Sequence, residues 1–496
     1  MKRRPFVLAL GAMLFPWRRA RAEVVDPAFR VTLPEAHKGT LEIDTKLLDS
    51  YGPPPAGLRQ FYLDARALFH DNPGAAFTDD AIVQVAKQHA VPLMGGPLLG
   101  DLRSDGVSFW LRPATSQTIT VRAGGRAVQS DSPVPGEDVR LPLTGLNPAT
   151  TYTYTVQVGG QSVAEGRFTT APVAGSADTF RVAFGSCCHK IGVHNPNLFG
   201  QIVNRRPHVM MLLGDIAVDD RNNEINMHRA DYQLRDVSSA WRHLAANVPL
   251  YAAWDDHDYF DNDLSGIPRR YSADDRDNVR AVWKQNWNNP STPAGRKGIY
   301  FSTRVGPVEL IMLDTRSYRN GRQRRQYGSY LGERQLTWLK QTLRRSAAPF
   351  KIISSGTMWS DYVSKAKDSW GSWDTQAREE IFSLIEQEQI GGVLLVSGDR
   401  HGARGFRIPR PSGHTFYEFE PATLGGVSGP AGLVKDCPEQ LFGYSGQDDS
   451  GQNFVACGEF TFDLSDSDPQ VTFRLITQFG EIKEEIPLSL SELTPA

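Results

Sequence analysis

The chain of 496 residues is 40% hydrophobic, with 45 Gly and 32 Pro, which fits a loop-rich globular protein of about three domains and excludes a disordered or fibrous one. A formal charge of −2 gives no electrostatic handle on nucleic acid, so no stable nucleic-acid partner is expected. Four cysteines are too few for a disulfide-stapled scaffold; Cys437 and Cys457 flank a Gly/Ser/Asp-rich loop and are the pair able to join in an oxidising compartment.

Residues 1–22, MKRRPFVLALGAMLFPWRRARA, have a basic start, a short apolar stretch and an Ala-Arg-Ala site at positions 20–22. The apolar stretch is too short for a transmembrane anchor, so the segment reads as a removable export signal. Arg3-Arg4 followed by Phe6-Val7 resembles a twin-arginine signal, with ordinary secretion as its rival. Its removal takes away six positive charges and leaves −8 on a periplasmic or secreted protein. Twin-arginine export machinery is therefore an expected partner, and export in the folded state would suit a protein that loads metal in the cytoplasm.

Residues 23–90 read as an N-terminal extension, with a helical pattern through Leu58, Phe61, Ala65, Leu68 and Phe69 and no motif. Residues 91–173 change to short alternating strands such as TITVRAG and TYTYTVQVG, separated by turn residues. The stretch LTGLNPATTYTYTV resembles the tyrosine corner of fibronectin-type sandwiches, with Tyr152 at the corner. From 178 to about 480 the apolar runs FRVAF, HVMMLL, LYAAW, VELIML, FKIIS and GGVLLV alternate with helical stretches. That alternation predicts an α/β or α+β domain of layered sheets flanked by helices.

The residues at the carboxyl ends of those runs carry the chemistry. FRVAF leads into Gly185-Ser186-Cys187-Cys188-His189, HVMMLL into Gly214-Asp215, and LYAAW into Asp255-Asp256-His257-Asp258. VELIML leads into Asp314-Thr315-Arg316, and GGVLLV into Ser397-Gly398-Asp399-Arg400-His401. Ligands of layered α/β folds gather beyond the carboxyl ends of strands, and five candidate strands deliver polar or metal-competent groups there. Carboxylates brought together repel and raise one another's pKa unless a cation compensates. Asp and His beside a thiolate suit a transition metal, while oxygen-only clusters suit Ca²⁺ or Mg²⁺; the mixture here admits both. For WDDHDYFDND, Trp254 to Asp263, a solvated acidic loop is the bland alternative.

At these residues the sequence resembles the alkaline phosphatase D family of the calcineurin-like metallophosphatases. The shared stretches, over roughly residues 92–410, are GPLLGD, VAFGSC, LLGD, WDDHD with its trailing Asn-Asp, GIYFS with LIMLDTRSYR, LGERQLTWL and VLLVSGDRH. The resemblance implies a fibronectin-type β-sandwich ahead of a metallophosphatase domain that hydrolyses phosphate esters with divalent or trivalent ions, Ca²⁺ and Fe³⁺ in the family. It makes Cys187 a thiolate ligand, Asp215 a bridging carboxylate, and Asp256, Asp399 and His401 further ligands. It makes His257 the catalytic imidazole. Asp258 is then expected to orient His257, and Arg400 to clamp a phosphate oxygen. Two cations would polarise the phosphoryl group and activate a water for in-line attack.

The sequence departs from the family at Val218, where the family usually has a tyrosine ligand to iron. Asp219, Asp220 and His189 are the candidates to replace that ligation. The change puts ferric iron in doubt more than hydrolysis. Asp314 and Arg316 are expected to pair behind the site, Asn262 to bind or to cap a turn, and Trp359 and Trp370 to line a wall or to pack. The alternative reading is a non-catalytic calcium-binding or surface-interaction protein on a degenerate fold. Substrate, ester preference and oligomeric state are not readable from the sequence.

Overall fold

Six-residue and shorter apolar runs cannot cover both their faces alone, and in the computed structural model they become strands of two stacked sheets. The structure describes residues 24–363, 368–425, 429, 431–447 and 453–496. The export signal expected at residues 1–22 lies outside them.

Four helices come first: α1 (Leu33–Lys38), α2 (Leu41–Asp49), α3 (Ala56–Asp71) and α4 (Asp80–Gln88). The periodic face of α3 buries Phe61, Ala65 and Phe69 against Met227, Ala230 and Leu234 of the helix Ile225–Val237. Strands β1 (Leu93–Arg103), β2 (Gly106–Pro113), β3 (Ile119–Ala123), β4 (Arg126–Ser130), β5 (Val139–Leu143), β6 (Thr151–Val158) and β7 (Gln161–Thr169) come next. They form two antiparallel sheets ordered β1-β2-β5 and β4-β3-β6-β7. The Tyr152 hydroxyl accepts a hydrogen bond from the Asn147 amide at 3.0 Å, the bond a corner tyrosine makes. This unit is packed against the rest, as Tyr154 donates to the carbonyl of Ala246 at 2.9 Å and Tyr251 accepts from the Leu102 amide at 2.8 Å.

The remaining strands are β8 (Phe180–Gly185), β9 (Val209–Leu212), β10 (Leu250–Ala252), β11 (Phe301–Val305), β12 (Val308–Met312), β13 (Phe350–Ser354) and β14 (Val393–Val396). After them come β15 (Ala403–Pro409), β16 (Thr415–Pro421), β17 (Gln440–Tyr444), β18 (Ala456–Asp463), β19 (Gln470–Thr477) and β20 (Ile482–Ser489). One sheet runs β10-β9-β8-β18-β19-β20, and the other runs β11-β12-β13-β14-β16-β15-β17. Their inner faces meet through phenylalanines, among them Phe419 on Phe473 with centroids 4.3 Å apart and Phe350 on Phe462 at 4.9 Å. Strands β8, β9 and β10 are mutually parallel, as are β12, β13, β14 and β16. Parallel strands put all their carboxyl ends on one rim. The rims of the two sheets join where Ser186 bridges Thr423.

Candidate metal centre

Three of the five strand-end loops turn sharply to bring their polar groups onto this rim. Cys187, His189, Asp215, Asp220, Asp399 and His401 all have left-handed backbone, with φ between 51° and 74°. Residues with a Cβ seldom adopt that region, and they persist there only where the surroundings hold them. Gly214 goes further, at φ 120°, and a Cβ on it would meet Asp255 Cβ at 2.5 Å. The loop after β9 is thus pressed directly against the loop after β10.

Cys187, His189, Asp215 and His401 each offer one ligand atom, all within 4.8 Å of one another. Asp215 belongs to a second such group with Asp256 and His257, so one carboxylate sits between the two sets. Asp255, Asp256 and Asp399 form a third group, made of oxygen alone. The Cys187 thiol lies 3.8 Å from Asp215 Oδ2. Burial, then the Asp215 charge, pushes this thiol well above its ordinary pKa as long as no cation is present.

The histidines are held from behind. His189 Nδ1 donates to Asp219 Oδ1 at 2.7 Å, and the other Asp219 oxygen accepts from the Lys190 amide at 3.1 Å. His257 Nδ1 donates to Asp220 Oδ1 at 2.6 Å. Burial disfavours the His257 charge, but Asp256, Asp215 and Asp220 together hold its pKa well above the usual imidazole value. His401, pressed down by burial and by the neighbouring His189 and His257, falls to about 3. A neutral imidazole is the form that ligates a metal, and an imidazole backed by carboxylate is a common ligand geometry.

Three expectations are corrected by this geometry. Asp258 does not orient His257. Its carboxylate accepts the amides of Asp215, Ile216 at 3.1 Å and Asp255 at 3.3 Å, because one step along the short helix Asp256–Tyr259 swings it away from the imidazole. It therefore fixes the backbone that carries Asp215, and Asp220 is the carboxylate on His257. Asp219, anticipated as a ligand, instead has both oxygens engaged, by His189 and by a backbone amide. The Arg316 guanidinium does not pair with Asp314. It lies among the acids, bonded through Nε to Asp255 and within 3.3 Å of Asp256, 3.1 Å of Asp368 and 3.4 Å of Asp399. Asp314 instead accepts from the Trp254 indole at 2.8 Å.

The other residues singled out by sequence have mixed placements. The Arg400 amide donates to Glu420 at 3.0 Å, and its half-buried guanidinium lies 3.7 Å from Asp399 Oδ2. Val218 is fully buried in the apolar core beside Ile216 and Ala217. Trp359 and Trp370 stack on each other inside a helix-packed core, so they pack and do not line a wall. The Asn262 amide donates to Asp220 Oδ1 at 3.0 Å, a turn role. Cys437 and Cys457 are both free thiols, the latter buried within β18, so the bridge that the sequence left open is not made. His37, from the N-terminal extension, was not singled out by sequence, yet its Nδ1 lies 2.9 Å from Asp220 Oδ2.

A family model described as PhoD-like phosphatase matches residues 183–431, the stretch that supplies all of these rim loops. The chain belongs to the PhoD-like phosphatase family. The solved structure of PhoD aligns with a TM-score of 0.65 at 17% identity, covering 80% of this chain and 89% of that one. Purple acid phosphatase PPD1 from seeds of yellow lupin (Lupinus luteus) aligns at 0.55 and 14% identity, covering 79% of this chain and 74% of its own. At such identities these likenesses speak for the metallophosphatase fold. A comparison with curated proteins gave no match.

As a PhoD-like phosphatase the chain is a metal-dependent phosphoester hydrolase, and the alternative of a non-catalytic protein on a degenerate fold is set aside. Its rim residues fit metal ions. Among the described residues, buried polar atoms without a hydrogen-bond partner collect there, including His189 Nε2, Asp255 Oδ2, Asp256 Oδ1 and Asp399 Oδ2. Nitrogen and carboxylate oxygen left unpaired in a dry site are costly, and a cation satisfies them together. Burial and neighbouring aspartates also push Asp215 and Asp399 well above the carboxylate range, and Asp255 to about 6. A bound cation would remove that penalty.

Proposed function

We propose that this PhoD-like phosphatase holds one transition-metal ion on Cys187, His189, Asp215 and His401 and a second ion on Asp215, Asp256 and Asp399. The single observation that carries this reading is a run of shared donors: Asp215 stands in one group with Cys187, His189 and His401 and in another with Asp256 and His257, and Asp256 stands in a third with Asp255 and Asp399. Thiolate and imidazole donors favour iron or another transition metal on the first position, in spite of Val218. Oxygen donors favour Ca²⁺ or a similar hard ion on the second. Arg316 supplies a fixed positive charge to Asp255, Asp256 and Asp399, so the oxygen group needs less cation charge than three carboxylates alone would.

The ions, when bound, would activate a water and offset charge on the phosphoryl oxygens. The chain's own residues then do the rest. His257, oriented by Asp220, donates a proton to the leaving alkoxide or a hydrogen bond to the developing charge. Arg400, whose Nε has no hydrogen-bond partner among the described residues, offers a planar fork to a non-bridging phosphate oxygen. Asp258 keeps the Asp215 backbone in its left-handed turn. Substrates are phosphate monoesters, diesters or both. Export through the twin-arginine route is part of the proposal, resting on Arg3-Arg4 and the Ala-Arg-Ala site. No helix among the described residues is long and apolar enough to cross a membrane.

The test is metal content by mass spectrometry on the purified mature protein, with aryl phosphate monoester and diester assayed across alkaline pH. Asp215→Asn is expected to lose bound metal and about a thousandfold in kcat/KM, the equivalent of ~4 kcal/mol. Full metal content and full activity in that variant would refute the shared ligand.

A further inference from the structure

The N-terminal extension carries no motif, yet it reaches the hydrolytic rim at one side chain. We propose that His37 is a positioning residue of this site: it holds one oxygen of Asp220 so that the other stays on His257. The inference rests on the proposed role of His257 as the working imidazole.

Both Asp220 oxygens are occupied by imidazole. Oδ1 accepts from His257 Nδ1 at 2.6 Å, and Oδ2 lies 2.9 Å from His37 Nδ1. The rings of His37 and His257 are 4.8 Å apart by centroid. A carboxylate gripped at one oxygen can rotate about its Cβ–Cγ bond and drag its partner ring with it. Gripped at both, it fixes the plane in which His257 presents Nε2. Asp220 itself sits in left-handed backbone at φ 54°, so its own chain gives it little choice of direction.

The segment that carries His37 is built to stay in place. Thr32 and Glu35 cap α1 reciprocally, with the Thr32 amide on Glu35 Oε2 at 2.8 Å. Two residues after His37, α1 ends at Gly39, φ 53°, whose carbonyl accepts from Arg66 at 2.6 Å and from Arg221 at 3.4 Å. A Cβ at Gly39 would lie 2.0 Å from Arg221 Nη1, so glycine is required for this grip. Arg221 immediately follows Asp220. One guanidinium therefore ties the end of α1 to the turn that bears the carboxylate.

An outer partner of this kind typically contributes about 10–100-fold to activity or metal affinity. The experiment compares native protein with His37→Ala and His37→Asn, the latter placing an amide N–H where Nδ1–H stood. The alanine variant should lose about tenfold in kcat with KM unchanged, keep its full metal content, and regain most of the loss as asparagine. With ¹⁵N-labelled histidine, the His257 Nδ1 proton signal, assigned by its absence in His257→Gln, should broaden or vanish in His37→Ala and return in His37→Asn. Unchanged kcat in the alanine variant overturns the proposal. So does loss of a metal ion from it, which would make His37 a ligand. If even the native protein hydrolyses no ester, the functional reading fails separately. The proton signal then decides, and one identical in native and alanine proteins sinks the positioning role.

Discussion

Asp220 is half-buried, yet it keeps its charge: partial burial raises its pKa, but hydrogen bonds from His257 and His37 bring it well below the carboxylate range. A charge held there stabilises a cationic His257 and sets its tautomer. Replacing Asp220 by Asn keeps the size and removes the charge. The expected result is a fall of about 10–100-fold in kcat with metal content intact. An Asn variant as fast as native protein would remove Asp220 from the mechanism. At this scale the sequence was only half legible. The pair Asp219-Asp220 stood out beside Val218, but nothing local says that the first backs His189 and the second His257. Adjacency misled for Asp258, because neighbours on a helix point about 100° apart. His37 lies far from Asp220 along the chain, in a stretch without pattern, so only the folded chain joins them.

The strand with its polar terminus is the element that builds the site, and it was the most legible feature. An apolar run of four to six residues leading into Gly-Asp, Ser-Cys or Asp-Asp-His records both the buried strand and the rim loop within one short window. The register of the parallel strands then brings the windows together without further instruction. Arg316 shows where such reading stops. Its amide donates to Asp314 at 3.3 Å, but the long side chain, expected to pair there, departs to the acids of three other loops. The β9 turn itself offers a test. Gly214→Ala puts a Cβ at positive φ and onto Asp255, and should lower the unfolding free energy by about 2 kcal/mol or more. Denaturant midpoints check this, and a midpoint equal to the native one would mean that the two loops yield without cost.

Across the whole molecule, the N-terminal helices join the catalytic sheets through buried charge. Asp44 of α2 lies 3.0 Å from Lys190 and 3.0 Å from Arg66, while Arg221 pairs with Asp231 at 2.6 Å, all with little or no exposure. Removing one partner leaves the others charged and unsolvated, so Asp44→Asn should cost about 3 kcal/mol or more. Burial raises the Asp44 pKa, but Lys190, Arg221 and Arg66 outweigh it and leave it below the ordinary value. Its stabilisation is thus fully present above the unfolded pKa of about 3.9 and drains away as pH falls below that. The gap in thermal midpoint between native and Asn proteins should accordingly be wide at pH 6 and narrow towards pH 3. A gap constant over that range would contradict the linkage. Length raised the expectation of several domains but said nothing of this mode of attachment, because ion pairs between distant segments leave no periodic trace.

The strand that ends just before Cys187 is paired on both sides, to β9 and to β18, the latter drawn from the last tenth of the chain. During synthesis on the ribosome, that second edge stays open until Ala456–Asp463 has emerged. Pairing over such separations is slow, since a large loop must close before it is rewarded. The thiolate turn therefore acquires its final shape only once a strand from far along the chain has been made and has paired beside it. A site assembled this way is finished by pairing between distant segments, not by the turn on its own.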